Sequence, residues 1–184
     1  MMRVILTSLA GLALLPTAAR AQSASDTKDF AVVGTVPAIC VGGSVSEAGG
    51  IFDLGVLTNT STGLLRSDLS APAQVLSGSF CSSRSTIAIA ATPLAAQNFT
   101  GTAPSGFSRS VDYVATASGW TELPAVFGTA NVNNAAALQT RDTAFSGAIT
   151  VSLSGFATAG GSALRMIADD AYRGSVTVTL TPES

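Results

Sequence analysis

The chain holds two cysteines, Cys40 and Cys81, and no histidine. Without an imidazole, neither a Ser-His-Asp nor a Cys-His arrangement can be assembled, and a zinc site with imidazole ligands is ruled out. The serines around Gly78 lie in Leu76-Ser77-Gly78-Ser79-Phe80, which lacks the paired glycines and the following helix of a nucleophile elbow. Asp169-Asp170 is the one adjacent carboxylate pair, and no oxygen-rich loop of the kind calcium needs accompanies it, so it reads as a solvated turn. Gly42-Gly43 does not open a helix after a strand, which leaves a phosphate cradle nothing to rest on. A hydrolase working through carboxylates alone is the catalytic class that stays open. The expectation is of a protein that is not an enzyme, with no catalytic, cofactor-binding or metal-binding residue assigned. Two further residues could meet a partner. Asn98-Phe99-Thr100 matches the glycosylation sequon. Trp120, the sole tryptophan, either anchors a ligand or covers the edge of a core, and the core is favoured because a strand closely precedes it.

The chemistry of the cysteines depends on compartment. Met1-Met2-Arg3 is a basic start, Val4 to Leu15 is mostly apolar, and Ala19-Arg20-Ala21 has the small-x-small form of a cleavage site. Residues 1–21 therefore read as a secretory signal peptide, too short in its apolar run to span a bilayer. Export through it leads to an oxidising space, where the default for two cysteines is one disulfide, Cys40 to Cys81. No later stretch is long and apolar enough for a membrane helix, so no transmembrane segment is expected. Without Arg3 and Arg20, seven of the nine basic residues remain against eleven acidic ones, and Lys28 is the one lysine. With no positive face to neutralise phosphates, nucleic acid is not an expected partner.

The elements that would position these residues are short strands separated by turns. Residues 30–36, 51–57, 74–81, 85–91, 110–116, 124–129, 148–154 and 163–167 carry β-branched or alternating apolar residues, with Gly and Asn pairs between them. The last strand, Tyr172 to Thr181, alternates most cleanly. Tyr172, Val176, Val178 and Leu180 share one face, Ser175, Thr177, Thr179 and Thr181 the other, and Pro182 stops it. Residues 134–138 form a helix-like patch too short to matter. Many strands and frequent turns predict one antiparallel β-sandwich domain.

Several stretches carry a resemblance. Gly34-Thr35-Val36-Pro37-Ala38-Ile39-Cys40 resembles the Gly-x-Val…Cys opening of chaperone–usher pilin subunits, and Phe52-Asp53-Leu54-Gly55-Val56 is similar to their second signature segment. Phe80-Cys81 sits where the partner cysteine is expected. Val111-Asp112-Tyr113 and the closing Tyr172–Leu180 run resemble the spore coat protein U branch of that superfamily. The likeness covers most of the chain after residue 21, but residues 94–141 match little, and Pro182-Glu183-Ser184 replaces the aromatic ending common in pilins.

The resemblance implies an immunoglobulin-like sandwich lacking its final strand, over residues 34–184. A neighbouring subunit's N-terminal extension would fill the gap, here residues 22–33, with Phe30 and Val32 as pocket-filling residues in phase with Gly34 and Val36. Tyr172, Gly174, Val176, Val178 and Leu180 would form the groove-edge strand that a periplasmic chaperone holds before an outer-membrane usher assembles the subunits. The function implied is a structural subunit of a surface pilus or fimbria, supporting adhesion and biofilm formation, located in the periplasm and then at the cell surface or secreted. The alternative is a monomeric secreted β-sandwich that binds a ligand with its loops near Trp120, and it requires a complete sandwich and a dispensable N-terminus.

Overall fold

The computed structural model of the 184-residue chain describes residues 25–46 and 48–183. The signal peptide reading and residues 22–24 of the extension lie outside the described residues. The described chain falls into two units that divide between Thr35 and Val36. In the smaller, residues 25–35 carry no regular secondary structure and are exposed. The strand expected over 30–36 does not form within this chain: nothing pairs with it, and an isolated strand leaves its backbone groups to water.

The larger unit is an antiparallel β-sandwich, all-β apart from two single 3-10 turns. Its main strands form where the alternation is strongest. They are β3 (Gln74–Cys81), β4 (Ser85–Ala96), β6 (Ser110–Ser118), β9 (Phe145–Thr158) and β11 (Tyr172–Pro182). Short strands fill the intervals: β1 (Cys40–Val41), β2 (Ser44–Ser46), β5 (Phe107–Ser108), β7 (Ala125–Gly128), β8 (Leu138–Arg141) and β10 (Arg165–Met166). Strands pair in the order β1-β3-β9-β6-β4-β11, with β2 on β3, β7 on β6 and β8 on β4. β4 joins the layers. Its first half pairs with β8 and β11, and it meets β6 only at Leu94 and Ala95. One layer is thus β1/β2-β3-β9-β6-β7 and the other β8-β4-β11. β5 and β10 form a separate parallel pair.

The core lies between the layers and is built on the period of two. Along β6 every second residue, from Val111 to Ala117, is buried. Ile87 and Ile89 of β4 meet Tyr113, Ala115, Ile149 and Val151 across the interior. Trp120 has 0% exposure, stands edge-on to Phe145 at 5.2 Å, and donates from Nε1 to Ser85 Oγ at 3.2 Å. Arg141 covers the other side, its guanidinium 3.6 Å from the Phe145 ring centre and its Nη1 bonded to Trp120 O at 2.7 Å.

Three strand expectations change. Residues 51–57 alternate, yet they form no strand, turn at Gly55 (φ +62°), and bridge only at the next residue, Thr58. β4 passes through Pro93 to Ala96, because the proline sits at a bulge: Pro93 and Leu94 stand opposite the single residue Gly174. Pro182 is the last residue of β11, opposite Ser85, and does not end the strand before it. A proline at the end of an edge strand forfeits little of the ladder.

Candidate functional site

The strand path is open. β1 lies at one end and β11 at the other, and no ladder joins them. β11 pairs with β4 along one edge; among the described residues no strand pairs with its other edge. Its apolar side chains report the same gap. Val176, Val178 and Leu180 pack against the core but stay half-buried, whereas Ile87 and Ile89, on β4 beside them, are 0% and 2% exposed. Tyr172 is also half-buried and Gly174 exposed. Tyr172, Val176, Val178 and Leu180 thus lie on the inward face of an edge strand, and Gly174 lies at its bulge.

Opposite β11 stands the second wall, residues 36–57. Cys40 and Cys81 form the disulfide that pins it to β3. A few hydrogen bonds assist: Ile39 N donates to Ser82 Oγ at 3.0 Å, Ser82 N to Ile39 O at 2.9 Å, and Gln74 Nε2 to Ile51 O at 3.1 Å. Gly43, with φ of +76°, turns β1 into β2 where Ser79 Oγ bonds Gly42 O at 2.9 Å; a β-carbon there would meet the Ser79 side chain at 2.7 Å. The wall buries little. Ile51 and Val56 are 66% and 61% exposed.

Between the walls is a cleft of mixed polar and apolar lining. Near the start of β11 it measures about 580 Å³, with Ile51, Phe52 and Leu54 on one side, Tyr172 to Val176 on the other, and Leu94, Tyr113 and Leu153 as floor. It continues past Gly55 and Met166 into a hollow of about 600 Å³ rimmed by Asp53, Asp169 and Asp170. Tyr113 fixes the floor to the edge: its hydroxyl reaches Thr92 O at 2.8 Å and Ser175 O at 3.1 Å, straddling the bulge. Burial pushes that phenol above its ordinary pKa. Tyr113, Leu153 and the 51–57 wall were not legible as cleft residues. Periodicity assigns a residue to a face but does not say that the face opposite is empty.

The remaining candidates take structural places. Asp169 closes the loop before β11. It accepts hydrogen bonds from Ala171 N and Phe99 N at 2.9 Å, and from Asn98 N and Nδ2 at 2.9 and 3.0 Å. Those bonds, Ala171's first, hold its carboxyl below the usual range. Asn98 Nδ2 also donates to Asp170 at 2.6 Å, so the sequon asparagine is engaged in this staple. Among the described residues no group of carboxylates or cysteines is placed to hold a metal ion. Trp120 presents no surface to a ligand. No helix among the described residues is long and apolar enough to cross a membrane.

The extension residues have the opposite character. Phe30, Val32 and Val36 are 87%, 96% and 87% exposed, and a β-carbon on Gly34 would touch nothing. No family model, no curated protein and no solved structure matches the chain.

Proposed function

We propose that the chain is a structural subunit of a chaperone–usher type surface pilus or fimbria, assembled by donor-strand complementation and supporting cell adhesion and biofilm formation. One observation carries the reading. The strand path ends at β11, whose second edge no strand pairs among the described residues and whose first residues, Tyr172 to Val176, border a cleft. Such an edge exposes backbone donors and acceptors beside apolar side chains, and the chemistry that satisfies both is an added strand with alternating apolar residues. The chain carries an exposed segment with that alternation in Phe30, Val32, Gly34 and Val36.

In this reading the leader at 1–21 exports the chain, a periplasmic chaperone covers the β11 edge in transit, and an outer-membrane usher passes subunits to the surface. The partner that finally fills the cleft is the extension of a neighbouring copy or a related subunit, and the sandwich is an immunoglobulin-like fold short of its last strand. The test is Phe30→Asp in the full chain, expressed for export. Burying a phenylalanine contributes about 1.5–3 kcal/mol, and a carboxylate in its place costs further desolvation. High-mass species should disappear on size-exclusion chromatography while circular dichroism and the melting temperature of the monomer stay unchanged. Assembly equal to that of the parent chain would rule the donor role out.

A further inference from the structure

We infer that Arg141 closes the seam between β7 and β8 against an added strand, and so confines strand addition to the β11 side of the sandwich. The inference stands apart from the subunit reading above, because it concerns the far side of the two layers.

Each layer ends in two edges. At the cleft these are β1/β2 and β11. On the far side they are β7, which among the described residues pairs only with β6, and β8, which pairs only with β4. β7 and β8 come within 8 Å between Cα atoms without forming a ladder. β8 thus presents an unpaired backbone edge, and Leu138 at its start is 58% exposed. Those are the features that invite an added strand. Arg141, at the other end of β8, opposes it. On the period of two, Leu138 and Thr140 face outward while Gln139 and Arg141 face inward. The guanidinium lies over Phe145, and Nη1 donates to Trp120 O. Nε is buried and has no hydrogen-bond partner among the described residues. No described carboxylate lies within ion-pair distance of Arg141; the adjacent Asp142 pairs with Arg84 at 3.2 Å.

A strand added to β8 would exclude water from a cation that has no counter-charge. Desolvating an uncompensated charge outweighs the net return of a ladder only four residues long. An inward-pointing charge and a short length are two of the features by which an edge strand resists pairing. β11 has neither: it runs for eleven residues, and residues 175–182 carry no charge. Trp120 ties the guard to the core. Its Nε1 donates to Ser85 Oγ, and Ser85 is the ladder partner of Arg141, so the cation is held at the seam through both its backbone and its side chain.

The test uses the full chain, expressed for export, with Phe30→Asp as the parent so that the extension is removed as a source of assembly. Arg141→Met keeps an aliphatic stem over Phe145 and Trp120 and drops the charge; Arg141→Lys keeps the charge. Emission from Trp120, the sole tryptophan, reports whether the seam stays packed. The Met chain should keep the parent's emission and shift, with rising concentration, from the monomer position to dimer and larger species on size-exclusion chromatography. The Lys chain should elute with the parent. A Met chain that keeps its emission and elutes with the parent overturns the inference. Equal association of the Met and Lys chains overturns it as well, since shape and not charge would then close the seam. An emission shift to that of unfolded protein in either variant makes Arg141 a cover for the core and ends its role as a guard. If the Phe30→Asp parent itself still assembles, the subunit reading fails, and the difference between the Met and Lys chains over that baseline still decides this inference.

Discussion

The two walls of the cleft are built on different principles. β11 offers ten of its eleven residues in a ladder with β4, three apolar side chains on the core, and a bulge fastened by Tyr113. The wall at 36–57 offers a two-residue strand and a three-residue strand, both paired with β3, and an unpaired run, with one disulfide fastening the first strand. The first wall is held by many small terms that melt with the core. The second is held by one covalent link, two short ladders on β3 and a few side-chain hydrogen bonds, each bond worth about 0.5–1.5 kcal/mol. The contrast teaches that the cleft has one side built into the core and one side held more lightly.

The contrast can be broken most severely at the disulfide. It closes a separation of 41 residues, for which the chain-entropy model gives about 4 kcal/mol. Cys40→Ser with Cys81→Ser should lower the melting temperature by many degrees. Hydrogen exchange should show protection lost first in 36–57, with β4, β6 and β9 retained in the molecules still folded; uniform loss across both walls would contradict the division.

The wall built into the core is broken next at its bulge. A β-carbon at Gly174 would stand 2.7 Å from Thr92 O and 3.0 Å from Pro93 O. Gly174→Ala forces β11 away from β4 and should cost about 1–3 kcal/mol, as overpacking does. A urea midpoint equal to that of the parent chain would show that the bulge is slack.

The smallest expected effect sharpens the comparison through pH. Asp169 has its pKa lowered in the folded chain by the Ala171 and Phe99 amides and by Asn98. Its contribution is therefore fully present above the ordinary carboxylate range and is lost as pH falls through the lower folded value. The side chain is only partly buried at the surface, so the change should be slight and confined to the loop before β11. Asp169→Asn should flatten the acid limb of stability and leave the neutral-pH melting temperature nearly unmoved. An unchanged acid limb would remove the staple from the wall built into the core.

Much of the side built into the core was legible. The alternation of Tyr172, Val176, Val178 and Leu180 places them on the inner face of β11, and β3, β6 and β9 were expected within a few residues of where they lie. The side held more lightly was not. Phe52-Asp53-Leu54-Gly55-Val56 alternates as a strand does, yet alternation describes a strand's faces and leaves its ladder partner unspecified. Pro93 reads locally as a stop and proves to be a bulge, because the residue that accommodates it, Gly174, lies 81 positions away in the numbering. β8 was missed altogether. Its four residues, Leu138 to Arg141, are ordered by pairing with Ser85 to Ala88 and carry too short a pattern to announce themselves.

By itself the amino-acid sequence determined the all-β class, the inward face of each long strand and the absence of any imidazole-based chemistry. These depend on residue type and on a period of two, which are local. The tertiary structure alone decided that β4 passes between layers, that Trp120 is sealed behind Arg141 and Phe145, and that among the described residues β11 is left with one edge unpaired. Those outcomes depend on which distant strands meet, and pairing across the chain is set by the packing of the whole sandwich.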